Sequence, residues 1–369
     1  MNIALLNYEY PPVGGGAANA IYFMARAFAR LGHKAVVVTA GYQQIQGRAE
    51  EEGVVVYRVP AARRNKDRAT LVEMATFVAS AGVRLKTIVA DEGVECVIIF
   101  FALPCGVLGP LSGVPYVVSL RGGDVPGHMS QVKALHWMLT PFRRWALRKA
   151  KAVVANSDGL RRTAERADPI KASVIPNGVD TDSFFPRAMR YEKFIFLFVG
   201  RFSEEKDLAT LMRATARVKG AAASDFELWL VGDGPQLPEL KRLARQLEVD
   251  ACVRWHGWSD KESLRELYQQ ARCFINPSRC EGMSNAVLEA MACGLPVIAS
   301  DIPGHEGLVE RGKNGWVFPA GDESALSKCM RAAAGSQERV EQMGRDARIL
   351  VEKKFSWNET ANAYIELIG

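Results

Sequence analysis

Short apolar runs rich in Val, Ile and Phe recur along the chain, and between them the apolar positions fall three and four apart. The first pattern marks strands buried on both faces and the second marks helices that cover them. In the first half the runs predict strands at 2–7, 35–39, 54–59, 96–101, 116–120, 152–155 and 172–175, with helices at 17–31, within 69–91, and at 134–150. In the second half they predict strands at 194–199, 226–231, 252–255, 273–275, 296–299 and 315–318. Helices are expected there at 207–218, 235–247, 263–271, 284–293, 323–334, 340–352 and 357–368. Strand and helix alternate from end to end, the signature of parallel α/β sheets.

The rhythm breaks once. Asn177-Gly178 is a turn signal, and the polar, proline-containing stretch 182–192 reads as a linker before the alternation restarts. With 369 residues, two domains of ordinary size are expected. We take them as 1–181 and 182–354, each a Rossmann-like doubly wound sheet, followed by a terminal helix at 355–369 with no strand of its own left to cover. Two such sheets facing each other make a cleft, and ligands bind at the carboxyl ends of parallel strands.

Charge adds an asymmetry. Residues 1–180 hold 22 Lys/Arg against 14 Asp/Glu, whereas residues 181–369 hold 25 against 27, so the basic excess lies wholly in the first half. No acid occurs between Asp124 and Asp158, and residues 133–151 interleave Lys133, Arg143, Arg144, Arg148, Lys149 and Lys151 with Trp137, Met138, Leu139, Phe142, Trp145 and Leu147. Two readings stand: a peripheral membrane or anionic-acceptor contact, or a core-facing apolar stripe with a solvated basic face. Nucleic acid is disfavoured because no reader motif accompanies the charge. The uncharged stretch 96–120 mimics a membrane span, but Pro104, Pro110 and Pro115 divide it into two buried strands around a short helix. The seven cysteines are scattered without a C-x-x-C pair, which fits buried thiols in a reducing cytosol. The opening residues read as a strand rather than a secretory signal, so a cytoplasmic protein, peripheral at the inner face of the membrane if it touches one, is expected.

The most informative segment is 281–294, Glu-Gly-Met-Ser-Asn-Ala-Val-Leu-Glu-Ala-Met-Ala-Cys-Gly. Ser284 is a candidate N-cap and Gly294 a candidate stop, which makes a short buried helix with one carboxylate, Glu289, among apolar neighbours. Such a burial is costly unless paired, and a ribose diol would pair it. Glu281 lies at the loop that feeds the helix, so two acids flank a helix N-terminus suited to sugar and phosphate oxygens.

Glu281-x7-Glu289 followed by Ala-Met-Ala-Cys-Gly-Leu-Pro-Val-Ile-Ala-Ser resembles the signature of retaining glycosyltransferases of family 4, the glycosyl transferases group 1, which have the GT-B fold. The resemblance extends through Pro11-Pro12-Val13-Gly14-Gly15-Gly16, Ile175-Pro176-Asn177-Gly178-Val179-Asp180, Val199-Gly200-Arg201-Phe202, Gly232-Asp233-Gly234-Pro235, Asn314-Gly315 and Phe355-Ser356-Trp357. It implies an acceptor-binding first domain, a nucleotide-sugar-binding second domain and a terminal helix that crosses back to the first. It also implies a hexose moved from a nucleotide diphosphate to a hydroxyl of a lipid-linked, polysaccharide or glycoconjugate acceptor. Retention, with the leaving phosphate taking the acceptor proton, is implied by the family alone.

Site residues follow from the same resemblance. Arg201 and Lys206, which taken alone read as surface charge beside Glu204 and Glu205, match the diphosphate-binding pair; fixed cations there would stabilise the leaving group. Gly15 and Gly16 match the loop over the donor pyrophosphate. Glu281, with the backbone of Gly282, Met283, Ser284 and Asn285, would hold the donor sugar, and Glu289 the ribose. Many relatives have Gly-Phe-Gly where this chain has Gly282-Met283-Ser284. The loops 232–235 and 254–257 frame the base or are simply tight turns. In the loop 121–124 the family often has a sugar-contacting His; this chain has Arg121 with Asp124, and we expect one of them to orient acceptor or donor sugar, with His128 a weaker candidate. Asp180-Thr181-Asp182 matches a metal-binding D-x-D pattern, but it follows a turn where the family keeps an Asp for structure. No metal and no cofactor are therefore expected. The alternatives are a GT-B nucleotide-sugar epimerase, which the Glu281/Glu289 spacing does not suit, and a non-catalytic sugar-nucleotide-binding protein.

Overall fold

The protein is described here by a computed structural model covering residues 1–66, 69–126, 133–187, 193–220 and 225–369, with only the backbone of 133–136. It contains two compact units, Met1–Gly178 with Trp357–Gly369, and Val179–Ser356.

The first unit carries strands β1 (Asn2–Leu6), β2 (Lys34–Ala40), β3 (Gly47–Glu51), β4 (Val54–Val59), β5 (Cys96–Phe100), β6 (Tyr116–Leu120), β7 (Ala152–Ala155) and β8 (Ser173–Val174). Its helices are α1 (Gly16–Arg30), α2 (Leu71–Asp91), α3 (Lys133–Lys149) and α4 (Asp158–Ala167). The sheet order is β3-β4-β2-β1-β5-β6-β7-β8, parallel except for β3. Alternation along each strand feeds two cores. Ala4, Leu6, Val36, Val38, Val97 and Ile99 face one helical layer, and Ile3, Leu5, Ala35, Val37, Ile98 and Phe100 face the other. Each fully buried Val, Leu, Ile or Phe side chain stabilises the fold by about 1.5–3 kcal/mol. A turn of 3₁₀ helix, Cys105–Leu111, separates β5 from β6, so the uncharged stretch is indeed two strands and a short helix. No helix among the described residues is long and apolar enough to cross a membrane.

The second unit repeats the plan with β9 (Phe194–Val199), β10 (Phe226–Val231), β11 (Val253–Gly257), β12 (Cys273–Asn276), β13 (Val297–Ser300) and β14 (Gly315–Phe318), ordered β11-β10-β9-β12-β13-β14 and all parallel. Its helices are α5 (Leu208–Lys219), α6 (Leu237–Gln246), α7 (Lys261–Gln270), α8 (Asn285–Ala292), α9 (Glu323–Ala334) and α10 (Gln337–Lys354). The terminal helix α11 (Trp357–Ile368) returns to the first unit and packs on α1. It buries Trp357, Ala361, Tyr364 and Ile368, one helical face, with Trp357 stacked on Phe23 and the Tyr364 hydroxyl 2.7 Å from Ser119 Oγ.

Two elements escape the apolar pattern, for clear reasons. β3 is an exposed edge strand of sequence Gly-Arg-Ala-Glu-Glu, and a charged edge carries no apolar run. α4 buries only Gly159, Leu160 and Ala164. The division between units falls at Gly178/Val179, because residues from Val179 onward pack with the second unit: the amide of Val179 donates to Phe355 O, and Phe184 joins the core of Val287, Leu288 and Met291. Of the stretch read as a linker, 188–192 lies outside the described residues.

Candidate functional site

In the second unit the loops at the carboxyl ends of the strands are laced together. The amide of Gly200 donates to Val231 O, that of Phe202 to Asp233 O, and that of Gly232 to Gly257 O at 2.6 Å. Gly232 sits at φ +129, and a Cβ there would lie 2.0 Å from Gly200 O, so only glycine permits this approach. The loop after β9 then carries Arg201, exposed and without an ion pair among the described residues, into a short 3₁₀ turn, Glu204–Lys206. Asp207 closes that turn at φ +47, the left-handed conformation that Asp tolerates better than most non-glycine residues; it is held by Arg279 Nε at 2.8 Å and Thr210 Oγ1 at 2.9 Å.

That turn aims Lys206 at Glu281. The Lys206 ammonium and the Glu281 carboxylate form a close ion pair, both side chains less than one-fifth exposed. Ser278 Oγ donates to the same Glu281 oxygen at 2.9 Å, and Asn276 Nδ2 approaches it at 3.4 Å. Burial pushes the Glu281 pKa up, but the charge and hydrogen bond of Lys206, helped by His305 and the Ser278 hydroxyl, together hold the carboxyl below its ordinary value. The loop can sit here because Gly304 faces it: a Cβ on Gly304 would lie 2.4 Å from Glu281 O. Beside it, His305 is buried, its Nδ1 2.9 Å from Ser300 O and its Nε2 without a hydrogen-bond partner among the described residues.

Ser284 does occupy the N-cap position of α8, but its hydroxyl does not cap. It accepts from Asn276 Nδ2 at 3.0 Å instead, so the N-cap side chain makes no capping hydrogen bond to the first turn of α8. Gly282 and Ser284 are buried, while Met283 and Asn285 are half-buried. Glu289 lies one turn further on, half-buried. The Tyr268 hydroxyl donates to it at 2.9 Å, and no cation pairs with it within 4 Å among the described residues. Burial raises its pKa to about 7, only partly opposed by Tyr268. The helix thus holds a carboxylate that burial makes reluctant to ionise.

In the first unit, α1 begins at Gly16 with Gly15 at the N-cap and no side-chain cap. Gly14, at φ +100, approaches Glu9 so closely that a Cβ would lie 2.7 Å from the Glu9 Cβ. Asp124 is buried; its carboxylate accepts from the amides of Ala102 (2.6 Å), Arg121 (3.0 Å) and Gly122 (3.1 Å), tying the loop after β6 to the end of β5. Arg121 lies in that loop, its guanidinium carbon 3.5 Å from the centroid of the Phe100 ring and Nη1 2.5 Å from Asn177 Oδ1. His128 lies outside the described residues. Asp180 of the D-x-D triplet spends its carboxylate on the amide and hydroxyl of Ser183 and on Lys261 Nζ at 3.1 Å, a closed turn. Among the described residues no cluster of His, Cys, Asp and Glu could hold a metal.

Residues 15–178 match the sequence model of the glycosyl transferase 4-like domain, and residues 180–349 match that of the glycosyl transferases group 1. The chain belongs to the group 1 glycosyltransferases. As a member it is an enzyme that transfers a sugar from a nucleotide-sugar donor. This glycosyltransferase is 26% identical over 386 residues to a glycogen synthase of Mycobacterium tuberculosis, covering 98% of this chain and 93% of the relative. It is 27% identical over 394 residues to the GDP-mannose-dependent alpha-(1-6)-phosphatidylinositol monomannoside mannosyltransferase of Mycolicibacterium smegmatis, covering 99% and 97%. Its fold is GT-B. It superposes on sucrose-phosphate synthase from Thermosynechococcus elongatus with a TM-score of 0.85 at 22% identity, covering 99% and 98% of the two chains. On Anabaena HepE in complex with UDP and glucose the TM-score is 0.78 at 21% identity, again covering 99% and 98%.

Of the residues singled out from sequence, the glycosyltransferase brings Lys206 and Glu281 into contact and sets Arg201 on the same loop as Lys206. Gly15, Gly16, Arg121 and Asp124 lie at the carboxyl ends of the first sheet. Sequence reasoning missed Asn276, Ser278, Gly304 and His305. The available signal was Asn276-Pro277-Ser278 closing a buried strand: polar side chains at that end of a parallel strand are where ligands are met.

Proposed function

We propose that this enzyme moves a hexose from a nucleoside diphosphate to a hydroxyl of a lipid-linked saccharide, with retention and without a metal. The observation that carries the reading is the Lys206–Glu281 pair beside Arg201, which is exposed and has no ion pair among the described residues. In the proposed reaction the bond from the anomeric carbon to the diphosphate oxygen breaks. The acceptor oxygen bonds to that carbon, and the acceptor proton passes to the leaving phosphate. Arg201 and Lys206 receive the growing diphosphate charge, Glu281 orients the sugar hydroxyls, and Glu289 accepts from the ribose diol. The backbone of Gly282, Met283, Ser284 and Asn285 supports the sugar, Gly15 and Gly16 offer the start of α1 to phosphate oxygens, and Asp124 acts indirectly by holding the Arg121 loop. The first unit serves the acceptor and the second the donor. One relative is named for GDP-mannose and one fold neighbour binds UDP and glucose, so both bases belong in the test. The experiment is transfer from UDP-glucose and GDP-mannose to polyprenyl-diphosphate-linked sugars in excess EDTA. Transfer that survives the chelator is expected; nucleotide binding without turnover on any acceptor would support a binding protein instead.

The acceptor class rests on α3. Its aromatic residues do not form a core stripe. Trp137 is 82% exposed, and Met138, Phe142 and Trp145 are exposed as well. The buried member is Arg143, which forms a two-pronged pair with Asp168 at 2.8 and 3.1 Å. An exposed aromatic ridge flanked by the exposed Arg148 and Lys149 suits an anionic bilayer surface, where aromatic rings sit at headgroup level and each basic residue adds about 1 kcal/mol; Arg144 is already paired with Asp168 at 2.9 Å. Trp137→Ala/Phe142→Ala should lose co-sedimentation with phosphatidylglycerol vesicles and keep transfer to a soluble acceptor. Unchanged sedimentation would remove the membrane from the account.

A further inference from the structure

Among the described residues of the first unit three arginines are buried, and each has a carboxylate within 4 Å: Arg58 with Glu51, Arg63 with Glu9, and Arg143 with Asp168. This is the ordinary rule, since a cation removed from water needs a counter-charge. Arg121 breaks it. Its guanidinium is stacked on the Phe100 ring, and its Nε is shielded from solvent with no hydrogen-bond partner among the described residues. Its side-chain hydrogen bond goes to a neutral amide, Asn177, and no ion pair reaches it among the described residues.

The nearest acid does not repair this. Asp124 acts on Arg121 electrostatically, but its carboxylate oxygens already accept three backbone amides. Tyr364, the other group that faces Arg121, is neutral and hydrogen-bonded to Ser119. Burial accordingly pulls the Arg121 pKa down, against the smaller influence of Tyr364 and Asp124. The side chain is still only half-buried, so one edge of its donor fork remains open. It stands in the loop that follows β6, at the carboxyl end of the sheet, where a substrate of this fold is met. A planar, partly desolvated fork lacking a protein anion matches a two-oxygen anion on a ligand.

We propose that Arg121 anchors an oxyanion site, and that the acceptor saccharide carries a phosphate or carboxylate that pairs with its guanidinium. The proposal rests on the assignment of the first unit to the acceptor. Phe100 and Asn177 fix the plane of the guanidinium, and Asp124 fixes the loop, so the site is ready before the ligand arrives. A neutral acceptor would leave the stacked cation without its counter-charge and would bind weakly.

The test uses the full chain with UDP and GDP both present, so that the diphosphate site is filled. Thermal shifts are then measured with inorganic phosphate, glucose 1-phosphate, glucuronate and neutral glucose. The wild type should respond to phosphate or to one of the two anionic sugars and not to glucose; phosphate esters and glucuronate separate the two sources of the anion. Arg121→Gln should weaken the anion response at least tenfold. Arg121→Lys, which keeps the charge and loses the fork, should fall between and guards against a variant that fails to fold. Equal anion responses in wild type and Arg121→Gln, or no response to any anion in the wild type, would overturn the proposal. The shift caused by UDP or GDP alone reports separately on the donor reading: it survives in Arg121→Gln if only the anion site is lost, and it is absent from the wild type if the donor reading itself is wrong.

Discussion

Lys206→Met is expected to lower turnover by about 10²–10³-fold, the loss typical of removing one fixed group aimed at developing charge, about 2.7–4 kcal/mol in the barrier. The effect has a second signature in pH. Burial alone would raise the Glu281 pKa, and Lys206 is the main influence that keeps it low. Removing the lysine lets that pKa rise, so Glu281 is protonated over part of the acid-to-neutral range where the wild-type residue is ionised. The residual activity of Lys206→Met should therefore climb with pH across a window in which the wild-type profile is flat. The variant should also be less stable, because a buried carboxylate has lost its partner. Arg201→Ala offers the contrast. Arg201 is exposed and holds no ion pair among the described residues, so its loss should lower turnover in the same direction and leave the melting temperature alone. Turnover profiles of wild type and both variants, with melting curves, check all of this. A Lys206→Met enzyme with a normal rate would remove the diphosphate from this site.

Glu289→Gln should weaken nucleotide binding by about 10–100-fold and stabilise the ligand-free fold, two effects of opposite sign from one atom. Hydrogen bonds to a charged acceptor contribute about 1.5–3 kcal/mol, and the amide loses the charged part for the ribose hydroxyls. The stability gain depends on pH. The carboxyl has a pKa of about 7 in the folded chain against an ordinary 4.5. Below 4.5 the group is neutral in both states and the variant gains nothing. As pH rises from 4.5 to 7 the unfolded chain releases its proton more readily than the folded one, and the wild type loses stability. Above 7 the penalty is complete, so the advantage of Glu289→Gln grows through that window and then levels off. Nucleotide binding runs the other way. It draws on the ionised form, so wild-type affinity should improve toward pH 7 and binding at pH 6 should release a proton. Calorimetry in buffers of different ionisation heat reads the proton directly, and a pH-independent affinity equal to that of Glu289→Gln would contradict the assigned role.

The fold was legible wherever a strand is buried on both faces. Phe194–Val199 and the first three residues of Val297–Ser300 are continuous apolar runs because helices cover both sides of the sheet, and the covering helices announce themselves by the spacing of their buried residues. Gly47–Glu51 gave no such signal, since an exposed antiparallel edge is polar throughout. The chemistry was legible where a residue type is out of place. Glu289 stands alone among apolar side chains, and the structure leaves it half-buried with one tyrosine hydroxyl for company. What the chain order hides is convergence. Lys206 meets Glu281 across 75 residues, and Asn276 draws the Ser284 hydroxyl away from the helix cap that local rules assign it. Nothing in the local sequence distinguishes Gly304 from any turn glycine, yet a Cβ there would strike the Glu281 backbone. Likewise, the exposure of Trp137 and the burial of Arg143 reverse the arrangement that an amphipathic helix would suggest, because Asp168 on a separate segment supplies the buried partner.

The central claim is that the carboxyl-end loops of the second sheet hold a nucleotide sugar by its ribose, diphosphate and hexose in turn. It is tested most directly by a crystal structure with UDP-glucose or GDP-mannose, whichever raises the melting temperature. The account predicts ribose hydroxyls within hydrogen-bond distance of Glu289, diphosphate oxygens on Arg201 and Lys206, and hexose hydroxyls on Glu281. A nucleotide seated elsewhere, with the Lys206–Glu281 pair and the Tyr268–Glu289 bond undisturbed, would contradict it.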